Sequence, residues 1–553
     1  MTLPLKMVFT LGLGGLVVAC NGNVGSSVPQ TGTGGSDPSG GSGGAAAGTT
    51  GAGGTAGVSG GAGRGGGVAG SEAAGRGGAG GSAAAGRGGA GGSTGGRAGT
   101  GGGAAGRGGS TAGTTGRGGS TAGTTGGGGS TAGTTGGAGA GVGGMTAIGG
   151  SGGRYTTTNV DLCAGMFSDV MPHNMTALAK PAAGATVVDA EFGTTIRRIT
   201  AVAGTGANAG IVPMYTTIPA WNADESRLIL YALGGTGHQL YDGKTYQLIK
   251  KLDINPPDLE QVYWDTSNPD ILYYVDGVSF IRYHVGAGTK EKLHDFGTVC
   301  GSSGAGNGSD PMFTSWDSRR LGLTCAGKMF IYDWSNDTVL GPVNAPSGST
   351  PPAQVAPSGT LSYLPAGSGQ VLDSSLAVVR SLGLHVPDNH ASLGQLANGH
   401  DTWNGTVYDD GNDDAKSNVG NLVTWDLTNG TGGAIIGPKT GFPYPPDGHV
   451  SAMAYRQPGW VFVSTYFVGS FSGTGTPPNG LLDMENLIAD TNTGKVCRVG
   501  RHRSWGKANP VLDYWAEAHT VPSPTGTRAV FASDWGGGAS VDSYVVELPS
   551  YRP

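Results

Sequence analysis

From about residue 155 onward the chain alternates short apolar runs with turns rich in Asn, Asp, Ser, Pro and Gly, a pattern of period-two strands rather than of helices. Trp221-Asn222-Ala223-Asp224-Glu225-Ser226-Arg227 leads into Leu228-Ile229-Leu230-Tyr231. Trp264-Asp265-Thr266-Ser267-Asn268-Pro269-Asp270 leads into Ile271-Leu272-Tyr273-Tyr274, and Trp316-Asp317-Ser318-Arg319-Arg320 into Leu321-Gly322-Leu323. Ala356-Pro357-Ser358-Gly359-Thr360 and Pro524-Thr525-Gly526-Thr527-Arg528 repeat the arrangement. Each reads as a strand, a tight turn and a second strand. A third-strand turn recurs at Tyr241-Asp242-Gly243-Lys244-Thr245, Tyr332-Asp333-Trp334-Ser335-Asn336 and Trp425-Asp426-Leu427-Thr428-Asn429-Gly430. The units repeat every ~40–55 residues, with a longer insertion near 469–480, and that period predicts an all-β propeller of four-stranded blades. Counting units gives seven blades, and the spacing also admits six or eight. No amphipathic helix interrupts the pattern, which argues against an α/β class.

The preceding segment is a different material. Residues 21–153 are almost entirely Gly, Ala, Ser and Thr with scattered Arg, and no aromatic residue occurs in them. A chain without large apolar groups cannot offset its conformational entropy, so a disordered tether is expected. A ten-residue unit recurs at 107–116 and 117–126, and again without its Arg at 127–136. A Gly-rich coil of about 130 residues has a root-mean-square span of roughly 65 Å. The Arg-Gly-Gly triplets resemble RNA-binding segments, but sparse Arg that hydrates a tether is the simpler account.

The first twenty residues read as an export signal: Lys6 provides a positive charge and residues 8–19 form an apolar run too short to span a bilayer. The run ends at Val17-Val18-Ala19-Cys20, which resembles the lipobox of bacterial lipoproteins. That resemblance implies a diacylated Cys20 as the mature N-terminus, with Asn21 favouring outer-membrane sorting. The division expected is therefore a signal peptide at 1–20, a linker at 21–153 and a propeller at 154–553. Four further cysteines remain, an even number that suggests two disulfides with three possible connectivities in an exported chain. Nearness in sequence favours Cys300–Cys325. Cys163–Cys497 would then tie the start of the domain to a late blade. No CxxC pair occurs, which disfavours structural zinc.

All ten histidines fall in the globular part. Four open blade-starting segments: His390-Ala391-Ser392-Leu393, His400-Asp401-Thr402-Trp403, His449-Val450-Ser451 and, preceded by Glu517-Ala518, His519-Thr520-Val521. In a propeller the innermost strands line the axial channel, so residues at equivalent strand starts converge on one face. Three or four His with a Glu there would make a metal or acid/base site. Each could instead hold a turn within its own blade. His173, His238, His284, His294, His385 and His502 read as surface or turn residues.

The Trp-Asn-Ala-Asp-Glu-Ser-Arg turn, Pro522-Ser523-Pro524-Thr525-Gly526-Thr527-Arg528 and Phe531-Ala532-Ser533-Asp534-Trp535 resemble WD40-like propellers of the TolB type. The His-bearing blade starts are similar to those of oligogalacturonate lyases and related propeller polysaccharide lyases, over roughly residues 175–548. That resemblance implies a divalent metal, Mn or Ca, held by His and Gln side chains, which neutralises a uronate carboxylate so that a base can start β-elimination. Carried onto this chain, it implies His390, His449 and His519 as ligands, with Gln395 or Glu517 completing the set. His400, Tyr455 or Arg456 would then serve as base or carboxylate clamp. The family's closely spaced His pair is absent, since no His-x-His occurs.

Other motifs change little. Asp409-Asp410-Gly411-Asn412-Asp413-Asp414 lacks the glutamate of a helix–loop–helix calcium site and reads as a solvated loop. Trp403, Tyr444, Tyr466, Trp505, Trp515 and Trp535 could stack on sugar rings or belong to blade cores. No nucleophile elbow, phosphate loop or HExxH motif occurs. The net charge is −6, and six of the twenty Arg belong to the tether, so the propeller is more acidic than the average suggests and nucleic acid is not expected as a partner. The expected protein is a monomer that meets the membrane through its lipid anchor only. It either acts on a uronate-containing polysaccharide or binds glycan or protein at the cell surface without catalysis.

Overall fold

The structure, a computed structural model, describes residues 157–553 apart from 204, 205, 207, 307–310, 347–351, 385, 386, 388, 389, 408–419, 446, 447, 467–479 and 506–513. The export signal, Cys20, the tether, the acidic loop at 409–414 and His385 lie outside the described residues. No helix among the described residues is long and apolar enough to cross a membrane.

Seven antiparallel sheets follow one another along the chain and form a seven-bladed β-propeller. Blade 1 comprises Ile211–Val212, Arg227–Ala232, Gly237–Asp242 and Leu248–Lys251, and blade 2 comprises Val262–Trp264, Ile271–Asp276, Ser279–His284 and Thr289–Asp295. Blade 3 has Arg320–Cys325, Lys328–Asp333 and Thr338–Asn344; its innermost strand is reduced to a bridge between Thr314 and Leu321. Blade 4 runs through Gln354–Val355, Leu361–Leu364, Gln370–Asp373 and Val378–Ser381. Blade 5 is Ser392–Gln395, Asp401–Val407, Asn421–Asp426 and Thr431–Ile436, and blade 6 is Gly448–Ser451, Trp460–Thr465, Glu485–Asp490 and Lys495–Arg501. Blade 7 takes Val521–Pro522, Arg528–Ser533 and Asp542–Glu547 from the end of the chain, and Thr195–Arg198 and Thr186–Val188 from before blade 1. Arg197 thus pairs with Val545, and the first and last parts of the propeller share one sheet. This closure leaves no open end to the ring, which is how all-β architectures deal with exposed strand edges.

The repeated turns explain themselves in hydrogen bonds. Trp221 is fully buried and donates its indole N–H to the Gly243 carbonyl at 3.1 Å, while Asn222 Oδ1 accepts from Arg227 N at 2.9 Å. Asp224 Oδ1 accepts from Ser226 N at 3.0 Å, a local Asx turn that fixes the reversal. The later turns use the same device: Asp242 accepts from Lys244 N and Thr245 N, Asp426 from Thr428 N and Asn429 N, and Asp490 from Asn492 N.

Two disulfides fasten the periphery. Cys300–Cys325 has a Cα–Cα distance of 5.2 Å, and Cys163–Cys497 one of 5.6 Å across a sequence separation of 334. The second joins the segment before the ring closure to the outermost strand of blade 6. The same region holds buried ion pairs: Arg498 Nε and Nη2 donate to Glu485 at 2.8 and 2.5 Å, with both side chains fully buried. The Arg498 guanidinium also reaches Asp169 at 3.2 Å and lies 5.1 Å from the centre of the Phe192 ring, so it clamps the N-terminal segment onto blade 6.

Candidate functional site

The innermost strands of blades 5, 6 and 7 start on the same face of the ring. His390 precedes Ser392–Gln395, His449 is the second residue of Gly448–Ser451, and His519 precedes Val521–Pro522. Strand starts in successive blades lie side by side, so the three imidazoles meet although 59 and 70 residues separate them in sequence. The His390 and His449 ring centres are 4.5 Å apart, and those of His449 and His519 4.3 Å. All three are buried. A backbone bond from Val450 N to the His390 carbonyl at 3.2 Å stitches the first two blades together at this point.

Glu517 completes the group. Its Oε2 lies 3.4 Å from His519 Nε2 and 3.7 Å from His449 Nε2, and potential ligand atoms of the three residues all fall within 4.8 Å of one another. The Tyr466 hydroxyl, just past the second strand of blade 6, donates to Glu517 Oε2 at 3.0 Å. The same oxygen is 2.5 Å from His449 Nδ1. A hydroxyl has a single proton, so with that proton on Glu517 the Tyr466 oxygen accepts from His449 Nδ1–H. The chain His449 to Tyr466 to Glu517 thereby leaves the lone pair of His449 Nε2 facing the Glu517 carboxylate. His519 adds a second bare position: neither of its buried ring nitrogens makes a hydrogen bond among the described residues.

Electrostatics favour a neutral imidazole at His449. Burial, then the neighbouring His519 and His390 rings, hold His449 well below the ordinary histidine value. Aromatic side chains wall the cluster. Tyr215 from blade 1 packs 5.4 Å from both His449 and His519, and Tyr514 lies 5.1 Å from His519. The Tyr514 hydroxyl donates to Glu260 Oε1 at 3.2 Å, and Glu260 occupies the start of the innermost strand of blade 2. Burial, then the Glu260 and Glu517 carboxylates and Tyr215, push Tyr514 well above the ordinary tyrosine value, so it stays a proton donor.

Four expected members are placed elsewhere. Gln395 ends its strand and pairs in register with Asp401; five residues beyond His390, at about 3.3 Å per residue, it sits roughly 16 Å down the blade. His400 occupies the turn there and its Nδ1 is 2.7 Å from Asp426 Oδ2. Tyr455 and Arg456 lie in the corresponding turn of blade 6: Tyr455 is buried near Trp316, with ring centres 6.2 Å apart, and Arg456 N donates to the Pro524 carbonyl at 2.9 Å. These four are at the opposite end of the inner strands from the three clustered His, because a strand start and the turn that follows it face opposite ways.

Two histidines expected at the surface or in turns, His238 and His502, are buried and held by backbone groups. His502 Nε2 is 2.8 Å from the Thr465 carbonyl while Nδ1 accepts from Ser504 N at 3.2 Å, and His238 Nε2 is 2.9 Å from the Leu259 carbonyl. Burial lowers each to about 4. Sequence reasoning missed Tyr215, Tyr514 and Glu260. Glu260 carried a usable signal, since Glu260-Gln261-Val262 opens an inner strand just as His449 does. Tyr514 carried none, because it arrives on a single 3-10 turn, Tyr514–Ala516. Of the aromatics considered for stacking on sugar, Tyr466 reaches this cluster through its hydroxyl, Trp403 is fully buried in blade 5 and Tyr444 is exposed.

No family model matches the chain, and no curated protein matches it. Among solved structures, an oligogalacturonate lyase in complex with manganese is similar over 66% of this chain and 96% of its own, at 14% identity and a TM-score of 0.47. A second oligogalacturonate lyase, from Vibrio parahaemolyticus, is similar over 66% of this chain and 97% of its own, at 10% identity and a TM-score of 0.48.

Proposed function

We propose that the protein is a metal-dependent polysaccharide lyase that cleaves uronate-containing glycans by β-elimination at the His390–His449–His519 mouth of the propeller. The observation that carries this reading is the convergence of His449, His519 and Glu517. Two nitrogens and an oxygen bound to one cation at about 2.0–2.2 Å lie about 3–4 Å from one another, and the separations of 3.4 and 3.7 Å fall in that range. A lone pair on His449 Nε2 turned toward a carboxylate is unfavourable unless a proton or a cation sits between them. With the imidazole held neutral, the cation is the better occupant. Imidazole ligands favour a first-row transition ion over calcium, which takes oxygen donors.

When bound, such an ion neutralises the substrate carboxylate and acidifies the α-carbon proton. The side chains of the site supply the rest. Tyr466 fixes the His449 tautomer and the Glu517 orientation. Glu260, buried at the edge of the cluster, accepts the proton from the α-carbon; the bond from the β-carbon to the glycosidic oxygen then breaks as the double bond forms. Tyr514, a neutral phenol, donates its proton to that leaving oxygen. His400, Tyr455 and Arg456 have no part in these steps from their place at the other end of the blades. The proposal extends to the chain as a whole: diacylation at Cys20 would anchor the protein to the outer membrane, with residues 21–153 holding the propeller away from it.

The test uses the full-length protein. Ultraviolet absorbance of the new carbon–carbon double bond is followed over a panel of acidic polysaccharides, with and without chelator, beside a determination of bound metal. Chelator-sensitive absorbance growth, abolished in His449→Ala and His519→Ala, is the expected result. A protein that binds no divalent ion and is inert on every substrate would sink the lyase reading and leave a propeller that binds without catalysis.

A further inference from the structure

We propose that the opposite face of the propeller carries a second, non-catalytic site for a small hydroxylated carboxylate, of which a uronic acid monomer is the type. The site itself is independent of the lyase reading; only the choice of a uronate rests on it. The inner-strand turns of blades 6, 7 and 1, the outer turn of blade 1 and residues 550–553 enclose a cavity of about 270 Å³ there. That is near the lower end of small-molecule sites, roughly 300–1,000 Å³.

Its charge is one-sided. Lys244, Arg456, Arg528 and Arg552 line it against two carboxylates, Asp224 and Glu225. Both carboxylates are already engaged. Glu225 accepts from Thr525 N at 2.8 Å, Thr525 Oγ1 at 2.6 Å and Arg528 Nη2 at 2.8 Å, and Asp224 holds Ser226 N and Oγ. Arg528 is almost completely buried and is fixed further by the Gly243 carbonyl at 2.7 Å and the Tyr246 hydroxyl at 2.9 Å. Its guanidinium also lies 5.1 Å from the Trp221 ring centre and 4.7 Å from that of Tyr551. Its Nε is buried without a hydrogen-bond partner among the described residues. Lys244, on the rim, makes no ion pair among them. The rim ammonium of Lys244 and the rim guanidinium of Arg552, backed by the buried charge of Arg528 beneath them, suit a carboxylate. Thr158 and Thr525 spend their hydroxyl protons on the Arg456 carbonyl and on Glu225, which leaves their oxygens as acceptors for the hydroxyls of a sugar ring. Held on the face away from the His cluster, such a site would dock an acidic chain end without competing for the mouth.

The test is ligand-observed NMR on the full-length protein treated with chelator, which silences any metal-dependent binding. The probes are galacturonic acid, uncharged galactose and inorganic phosphate. Galacturonic acid should bind, and Lys244→Ala with Arg552→Ala should weaken it at least tenfold, whereas His449→Ala should leave it unchanged. Circular dichroism confirms that these exposed substitutions leave the fold intact. Galactose should bind at least tenfold more weakly than galacturonic acid. Failure to bind galacturonic acid, or binding indifferent to the rim substitutions, overturns the site. Phosphate binding as tightly as galacturonic acid overturns the assignment of ligand class, since the cavity would then read charge alone. The lyase reading fails differently, through absent metal and absent double-bond formation, so the two failures are told apart.

Discussion

Replacing Tyr466 with Phe removes one oxygen and leaves the ring, and the structure sets what that should cost. The hydroxyl lies 2.5 Å from His449 Nδ1 and 3.0 Å from Glu517 Oε2, with His449 Nε2 farther off at 3.4 Å. Without it nothing selects the His449 tautomer with its Nε2 lone pair toward the cluster, and the Glu517 carboxylate loses its orienting donor. Hydrogen bonds of this kind, behind a metal ligand, are worth about 10–100-fold in metal affinity. At about 1.4 kcal/mol per tenfold this is about 1.4–2.8 kcal/mol. The assay is titration of Mn(II) into metal-free wild type and Tyr466→Phe by calorimetry, with thermal unfolding of the metal-free forms as a control for folding. The expected result is a 10–100-fold weaker Mn(II) dissociation constant for the variant, with the unfolding midpoints of the metal-free forms close together. An unchanged dissociation constant would refute the reasoning, because it would mean that Tyr466 orients neither ligand.

Three further outcomes follow from the same geometry. Arg498→Met should destabilise the protein by about 1.5–3 kcal/mol in urea, because the fully buried Glu485 carboxylate loses its two shortest charged bonds and keeps Arg501 at 3.5 Å and Leu482 N at 3.3 Å; an effect under about 1 kcal/mol would show that the pair is solvated. Cys163→Ser should cost about 2–5 kcal/mol and more than Cys300→Ser, because the first bond closes a far longer loop, with a separation of 334 residues against 25. Equal losses by urea unfolding would remove loop closure as the explanation. Asp401 is buried and pushed up to about 6 mainly by that burial, against the bonds from Ser358. A carboxyl raised in the folded state binds its proton more tightly there than in the unfolded chain, so its destabilisation is present above about pH 6 and relieved as pH falls toward the unfolded value of about 4. Asp401→Asn should therefore gain up to about 3 kcal/mol relative to wild type at pH 7 over its relative stability at pH 4, and a pH-independent difference in urea stability would contradict the assignment.

The parts of the molecule legible in sequence are those fixed by local chemistry. The Trp-Asn-x-Asp turn before Arg227 and the Asp turns at Asp242 and Asp426 build their hairpins from bonds within a few residues, so their spacing revealed the blades. The closing strand Thr195–Arg198 was not legible, because its partner Asp542–Glu547 lies more than 300 residues away and its four residues carry no turn signature. The site divided in the same manner. His390, His449 and His519 were readable as equivalent strand starts. Gln395, His400, Tyr455 and Arg456 were joined to them by resemblance to the lyases, and the structure places these four at the other end of the inner strands, because a few residues along an inner strand traverse the whole blade.

That traverse also explains how one ring separates two chemistries. Inner strands start on one face and turn on the other, so each blade contributes a strand-start residue to the first and a turn residue to the second. Blades 5, 6, 7, 1 and 2 bring His390, His449, His519, Tyr215 and Glu260 to the first face. Blade 3 brings the buried apolar Met312 and Phe313, and blade 4 the buried Ala353. Among the described residues, the blades opposite the His cluster thus contribute apolar side chains to the channel mouth. With the His519 and His390 ring centres 4.3 and 4.5 Å away, the buried His449 is disfavoured as an imidazolium. A cation held between His449, His519 and Glu517 would relieve the conflict, because it would pair the carboxylate and use the lone pairs that protonation would otherwise claim. On the other face the blade 6, 7 and 1 turns bring Arg456, Thr525 and Glu225 together, a fixed and positively charged surface with no histidine in it. Metal chelation should accordingly silence the first face and leave the second untouched, and that asymmetry is the property by which the two faces can be assayed independently on one protein.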